Sequence, residues 1–436
     1  MHFLHFPKID KPCKLSIIML RFLTIIGARP QIIKAAAISR AIREKFAGQV
    51  EEHILHTGQH YDDNMSEVFF RELGIPAPDY NLHVGSGSHG VQTAKIIEGV
   101  EQALLGTLAN DAAELPNDAP TELNDGLMYD GVIVYGDTNS TLAAAVAASK
   151  IHVPVFHVEA GLRSFNMAMP EEINRIVCDQ LSSVLFTPTE TGIRNLRGEG
   201  FLINDAAKLP NDAPAELNDG NDAIKAKVRF ADGRGQKVVL SGDVMYDNSM
   251  YFSTMADMKS DIIERMGLSH RNFILATIHR PANTDNPENL SAIFRALGDI
   301  AASGVDVVFP CHPRTRKKIL DFRLEIDDFG GKLKLIDPAS FFEIIRLEKN
   351  ARVVMTDSGG VQKEAFFYGT PCVILRPETE WVEIVDAGAG IIADADYERI
   401  IKAYEELAGK PVHFPPLFGD GHASEKIIRE IIDYLR

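Results

Sequence analysis

Two successive parallel α/β domains are what this 436-residue sequence predicts. Three observations predict them. Short apolar runs alternate with helical stretches, the rhythm of strand and crossover helix. The rhythm stops after Phe201 and restarts near Val238, so a boundary falls in the region 200–235. Glycine and charged residues collect just after the apolar runs, at the carboxyl ends of strands, where open parallel sheets bind ligands.

The unit from Tyr129 to Asp179 organises the first domain. The run Val132-Ile133-Val134-Tyr135 ends in Gly136-Asp137-Thr138, and Pro154 to Val158 ends in Glu159-Ala160-Gly161. Pro170-Glu171-Glu172 then opens a helix. Three carboxylates, Asp137, Glu159 and Glu171, can therefore converge on one crevice. Plainer readings stand beside this: Asp137 as the cap of the helix Thr138 to Ser149, Glu171 as the partner of Arg175 one turn on, Glu159 as a solvated loop acid.

Upstream, the strand Phe22 to Ile26 leads through Gly27-Ala28-Arg29-Pro30 into a helix reaching Lys45. Proline suits the first helical position. Open N–H groups there, with Arg29 and Lys34, make an anion site. The strand Glu51 to His56 is followed by Gln59-His60-Tyr61-Asp62 and a helix from about Asn64 to Leu73. Gly85 to Gly90 matches G-x-G-x-x-G but lacks a preceding strand and a following ribose-binding acid. It reads as a loop capping the helix Val91 to Leu105, not as a dinucleotide site.

In the second domain, strands are expected at 238–240, 273–278, 305–309, 333–336, 353–356 and 373–375. Ile278 is followed by His279-Arg280. Thr356 is followed by Asp357-Ser358-Gly359-Gly360, a glycine turn opening a helix with bare N–H groups for a phosphate. Glu364, one turn in, is placed to accept from ribose hydroxyls. The last helix, about Ser424 to Leu435, is expected to pack back on the first domain.

Composition bounds the rest. A hydrophobic fraction of 45% supports sizeable cores, and a net charge of -16 argues against nucleic acid or an anionic membrane surface as partner. The four cysteines (Cys13, Cys178, Cys311, Cys372) lie far apart, which fits a reducing, cytoplasmic location and offers no zinc framework. Residues 15–26 are too short a run to span a bilayer; residues 1–20 read as an N-terminal extension, with Met19 an alternative start. One near-identical repeat covers 108–126 and 202–220, differing at three aligned positions: Ala109/Ile203, Glu114/Lys208 and Thr121/Ala215. Its polar, acidic composition reads as two surface inserts.

Taken together, GARPQIIKA (27–35), HTGQHYD (56–62), YGDTNST (135–141), HVEAGLRS (157–164), MPEEINR (169–175), ATIHRPAN (276–283), TDSGGVQKEA (356–365) and LRPETEWVE (375–383) resemble the non-hydrolysing UDP-N-acetylglucosamine 2-epimerase family. The resemblance implies a glycosyltransferase-B-like fold: two Rossmann-like domains, 21–201 (with helix 422–436 packed on it) and 202–421, facing a cleft that holds a UDP-sugar. It implies interconversion of UDP-GlcNAc and UDP-ManNAc through elimination and re-addition of UDP, without cofactor or metal, in a homodimer. It places Asp137, Glu159, Glu171 and His279 in catalysis. Arg29, Lys34, Arg280, Ser358, Gly359, Gly360 and Glu364 become substrate contacts, with Arg376 a further candidate.

This sequence departs from the family's pattern in having Gln31 where Arg-Pro-Glu is common, a shorter loop between Glu159 and Glu171, and Tyr61-Asp62-Asp63 after the Gln59-His60 of a regulatory subsite. GARPQ, SFNMAMPEEINR and GDVMYD also resemble a branch acting on UDP-2,3-diacetamido-2,3-dideoxyglucuronate. A glycosyltransferase of the same build is the rival enzyme.

Overall fold

The computed structural model describes residues 19–58, 75–108, 127–201, 234–324 and 326–436. The N-terminal extension through residue 18, the helix expected at 64–73 with Gln59 to Asp63, and both acidic repeats except Leu108 lie outside the described residues.

Two parallel sheets carry the chain. The first runs β3-β2-β1-β4-β5-β6-β7, made of β1 (Leu20–Ile26), β2 (Val50–His56), β3 (Tyr80–Asn81), β4 (Gly131–Tyr135), β5 (Val155–Val158), β6 (Val184–Thr187) and β7 (Lys237–Leu240). The second runs β10-β9-β8-β11-β12-β13, made of β8 (Phe273–Thr277), β9 (Asp306–Pro310), β10 (Leu333–Ile336), β11 (Val353–Thr356), β12 (Cys372–Ile374) and β13 (Gly390–Ile392). Strand order reverses between β1 and β4 in one sheet and between β8 and β11 in the other. Those two switch points are where such sheets open a crevice.

The central strands are short and apolar because both faces are covered by helices. All five residues of β4 are buried. The helix Asn139–Lys150 is built from small residues, and Ala143, Ala144, Ala145, Ala147 and Ala148 are fully buried. With so little side chain it fits between the helices His89–Leu104 and Pro170–Leu181, against which it packs.

One strand sits elsewhere than the sequence reading put it. Lys237–Leu240, counted there with the second domain, is hydrogen-bonded in parallel to β6 in the first sheet, with Thr187 opposite Leu240. Its short apolar run gives a strand but no sheet membership; that is set by which edge is open when the chain arrives. The terminal helix Ala423–Leu435 buries Ile427, Ile428, Ile431 and Ile432 in the same core as Ile32 and Ile38 of the helix Arg29–Lys45. That core also takes in Phe252 of the helix Val244–Lys259 and Phe342 and Ile345 of the helix Phe341–Asn350, so it joins the two halves. No described helix is long and apolar enough to cross a membrane.

Candidate active site

Tyr135 at the end of β4 lies in register with Val158 at the end of β5. Asp137 and Glu159 therefore emerge side by side. Gly136 before the first has φ +63°, a conformation in which a side chain is strained; a Cβ there would also lie 3.1 Å from Lys34 Nζ. Glu159 itself has φ +71°, an uncommon backbone for a non-glycine residue, which the surrounding structure must hold in place.

The two carboxylates meet opposite surroundings. Thr138, not Asp137, caps the following helix, its Oγ1 accepting from Thr141 N at 3.3 Å. Asp137 keeps 34% of its side chain exposed and accepts from Arg175 at 2.7 Å. Burial raises its pKa against the pull of Arg175 and Lys34, and the neighbouring charges of Glu159 and Glu171 add to the rise. Glu159 is only 11% exposed and lies between two ammonium groups, Lys34 at 2.5 Å and Lys363 at 3.1 Å. Burial favours its neutral form, yet Lys34 and then Lys363 hold it down at about 2. The reading of Glu159 as a solvated loop acid is thereby excluded.

Glu171 is exposed in the first turn of the helix Pro170–Leu181, where it acts on Asp137 through its charge. Arg175 does not take it as ion-pair partner; Asp137 and Glu172 are its partners. Glu172 instead shapes the loop, accepting from Ser164 N and Phe165 N at 3.0 and 2.8 Å.

The second sheet presents the matching half. Thr277 and Thr356 are in register, so the segments after them run level. Buried Asp357 accepts from His279 N at 3.1 Å, Arg280 N at 3.0 Å and Asn283 Nδ2 at 3.1 Å, and so fixes the His279-Arg280 turn. His279 is 51% exposed. Burial lowers its pKa, with Asp357 opposing. Ser358 caps the helix Gly359–Phe367 by accepting from Val361 N. Glu364 is pushed up to about 7, chiefly by burial.

Arg29, His279, Ser358, Gly360 and Glu364 line one cavity of about 400 Å³ with the apolar groups Phe252, Phe341 and Ile344. A larger hollow of about 670 Å³, between Thr189 and Lys426, is lined by none of the sequence-predicted site residues. The smaller cavity is the candidate nucleotide site, because it joins Arg29, which follows β1, to His279 and Ser358, which follow β8 and β11. Arg376 is not part of its lining: it lies beside the glycine turn, where a Cβ on Gly359 would be 3.8 Å from its guanidinium, which is already held by Glu380 through two contacts of 2.9 and 3.0 Å.

With this geometry in hand, comparison with known proteins decides the family. The family model described as UDP-N-acetylglucosamine 2-epimerase matches residues 42–111 and 121–432. The chain belongs to the UDP-N-acetylglucosamine 2-epimerase family. It is 42% identical over 409 residues to the UDP-2,3-diacetamido-2,3-dideoxy-D-glucuronate 2-epimerase of Pseudomonas aeruginosa, covering 94% of this chain and 98% of the relative. It is 37% identical over 408 residues to the UDP-N-acetylglucosamine 2-epimerase of Methanocaldococcus jannaschii, covering 93% and 97%. The crystal structure of Methanocaldococcus jannaschii UDP-GlcNAc 2-epimerase in complex with UDP-GlcNAc and UDP superposes with a TM-score of 0.72 at 35% identity, covering 94% of this chain and 99% of that one. The fold is accordingly glycosyltransferase-B-like, and the chain is an isomerase.

Several residues of this 2-epimerase have contacts that the sequence reading did not give them. Gln31 replaces the family's glutamate and uses both ends of its amide. Oε1 accepts from Gly27 N and Ala28 N, while Nε2 donates to Tyr135 O and Thr141 Oγ1 at 3.0 Å. A carboxylate has no hydrogen to donate to Tyr135 O. Lys363 and Asp243 stood inside quoted motifs, but only the approach of the two halves shows that they meet, at 2.5 Å.

Under the carboxylates of the 2-epimerase lies a fully buried His157. Nδ1 faces Asp179 Oδ1 at 2.7 Å and Nε2 faces Gly136 O at 2.8 Å. Both ring nitrogens thus face acceptors, which calls for an imidazolium. Burial opposes the charge, but Cys178 and Asp179 hold its pKa well above the usual value. A raised pKa contributes stability that is full below the unfolded value, about 6.5, and is lost as pH rises through the folded one. His157→Gln should therefore melt well below wild type at about pH 6, and the gap should shrink as pH rises. A gap that stays constant or widens would show that the ring is neutral.

Proposed function

We propose that this chain inverts the configuration at C2 of a UDP-linked 2-acetamido sugar, interconverting UDP-GlcNAc and UDP-ManNAc. The observation carrying the reading is the contact between Glu159, at a strand end of the first sheet, and Lys363, on the helix that opens with the glycine turn of the second. This contact supports a reading in which diphosphate and sugar C2 occupy adjoining parts of one cleft. No carbonyl activates the C2 hydrogen, so its loss must be coupled to departure of UDP. A base takes the C2 proton, the C–H electrons form the C1=C2 bond, and the C1–O bond breaks with its electron pair leaving on UDP. Re-addition of UDP, with a proton delivered to the other face of C2, completes the inversion. Asp137, with its raised pKa and open side, suits proton transfer. Ionised Glu159 and exposed Glu171 supply negative charge near an oxocarbenium-like sugar. Arg29, Lys34, His279 and Arg280 hold the diphosphate, the N–H groups at Gly359 and Gly360 receive it, and Glu364 takes the ribose.

A second reading, UDP-2,3-diacetamido-2,3-dideoxyglucuronate as substrate, is favoured by the relative of that name at 42% identity. One NMR time course in deuterated water, with each UDP-sugar and no acceptor, tests both. Deuterium at C2 of both epimers is expected for the true substrate. Absence of exchange with either, or sugar transfer only when an acceptor is added, would overturn the epimerase reading in favour of a glycosyltransferase. Assembly as a homodimer and a cytoplasmic location belong to the same proposal, to be read from light scattering and cell fractionation.

Arg29→Ala and His279→Ala should each weaken UDP binding by about tenfold or more, since hydrogen bonds to charged groups contribute about 1.5–3 kcal/mol. The loss for Arg29, an exposed cation, should be steeper at low salt. Calorimetric titration with UDP measures both; unchanged affinity in the pair would place the diphosphate elsewhere.

A further inference from the structure

Lys363 belongs to the nucleotide-facing helix but acts across the cleft. It follows Gly359 by four residues, so its side chain shares a face with the glycine turn. Its ammonium reaches Asp243 Oδ2 at 2.5 Å and Glu159 Oε2 at 3.1 Å, and lies 4.2 Å from the centre of the Trp381 ring. Only 4% of the side chain is exposed. An ammonium withdrawn from water costs several kcal/mol unless it is paired. Here both carboxylates precede or belong to segments that follow first-sheet strands: Glu159 comes directly after β5, and Asp243 caps the helix that follows β7. Lys363 is thus satisfied where the two halves are closed on each other, and Glu159 receives its second cation in the same arrangement.

We propose that Lys363 is a positioning residue that couples docking of the nucleotide-bearing helix to completion of the catalytic site at Glu159. The proposal rests on the epimerase reading above. In an open cleft Glu159 keeps Lys34 alone; on closure Lys363 fixes the second carboxylate oxygen, so the sugar meets a completed site only when the nucleotide half is in place. The charged groups around this contact are Lys34 from the helix Arg29–Lys45, Asp137 after β4, Asp243 ahead of the helix Val244–Lys259, and Glu364 beside Lys363.

The test uses the full chain, with steady-state kinetics, UDP calorimetry and thermal melting on each variant. Lys363→Met keeps an unbranched side chain of similar reach but removes the ammonium, and should lower kcat about 10²–10³-fold, the scale seen when one preorganised electrostatic contact is removed, with KM and UDP affinity within about threefold. Lys363→Gln keeps hydrogen bonds but removes charge, and should lose kcat to the same extent; it carries the test if the methionine variant does not fold. Asp243→Asn preserves the helix cap and leaves Lys363 on Glu159, so it should lose far less. The proposal falls if either lysine variant retains kcat, if the loss appears in KM and UDP affinity instead, or if Asp243→Asn is as damaged as Lys363→Met, which would make the lysine a domain latch. Absence of C2 deuterium in the wild type overturns the epimerase reading and this proposal together; deuterium in the wild type with undiminished kcat in Lys363→Gln overturns this proposal alone.

Discussion

Asp137→Asn should lower turnover by about 10²–10⁴-fold, the usual contribution of a positioned acid or base, while UDP still binds. The expectation rests on the contrast between two neighbouring carboxylates. Asp137 and Glu159 sit at adjacent strand ends, yet one pKa is raised and the other is held at about 2. Such a separation assigns proton transfer to the group whose pKa lies nearer neutrality. Asp137 also has the open side that a substrate hydrogen would need, with 34% of its side chain exposed. Its removal should cost less stability than loss of Glu159, because Asp137 is partly exposed and Arg175 keeps Glu172 as ion-pair partner. Rates of C2 deuterium exchange, set beside UDP calorimetry, measure the effect. Retained exchange in the asparagine variant would move the base to Glu171 or His279.

Glu159→Gln should be the destabilising change of the two. It leaves the Lys34 and Lys363 ammonium groups without the carboxylate they share, in a place where little water reaches. Breaking a buried pair by removing one partner typically costs about 3–5 kcal/mol. The sign with pH follows from the depressed pKa: the contribution is present above the unfolded value, about 4.3, and is lost as pH falls through the folded value near 2. The melting gap between wild type and Glu159→Gln should therefore be full at neutral pH and narrow in acid. Equal melting temperatures at neutral pH would show that the lysines are held by something other than Glu159.

Much of this was legible before any coordinates. Strand-end positions follow from the point where an apolar run stops, so Asp137, Glu159, His279 and Ser358 could be placed at the crevice from the sequence. The helix starts at Pro30, Pro170 and Gly359 were legible too, because proline and glycine act through local backbone geometry. The plainer readings of Asp137 and Glu171 were less decidable. Whether Thr138 or Asp137 caps a helix, and whether Arg175 turns to Glu171 or to Asp137, depends on side-chain directions that spacing leaves open.

What the sequence by itself determined was the local order: which residues form strands, which turns open helices, and which charged groups stand at strand ends. Periodicity of two and of 3.6 residues encodes burial of a face, and burial is a local preference repeated along the chain. The tertiary structure alone decided where charge meets charge. β7 joined the first sheet because that edge was open to it. Glu159 met Lys363, 204 residues away, and Arg376 turned to Glu380 beside the cleft. Ion pairs of this kind depend on how two independently formed halves approach. The energy that sets that approach lies in a shared core, Phe252 and Ile428 with Phe342, whose residues carry no mark in the sequence of which partner they will touch.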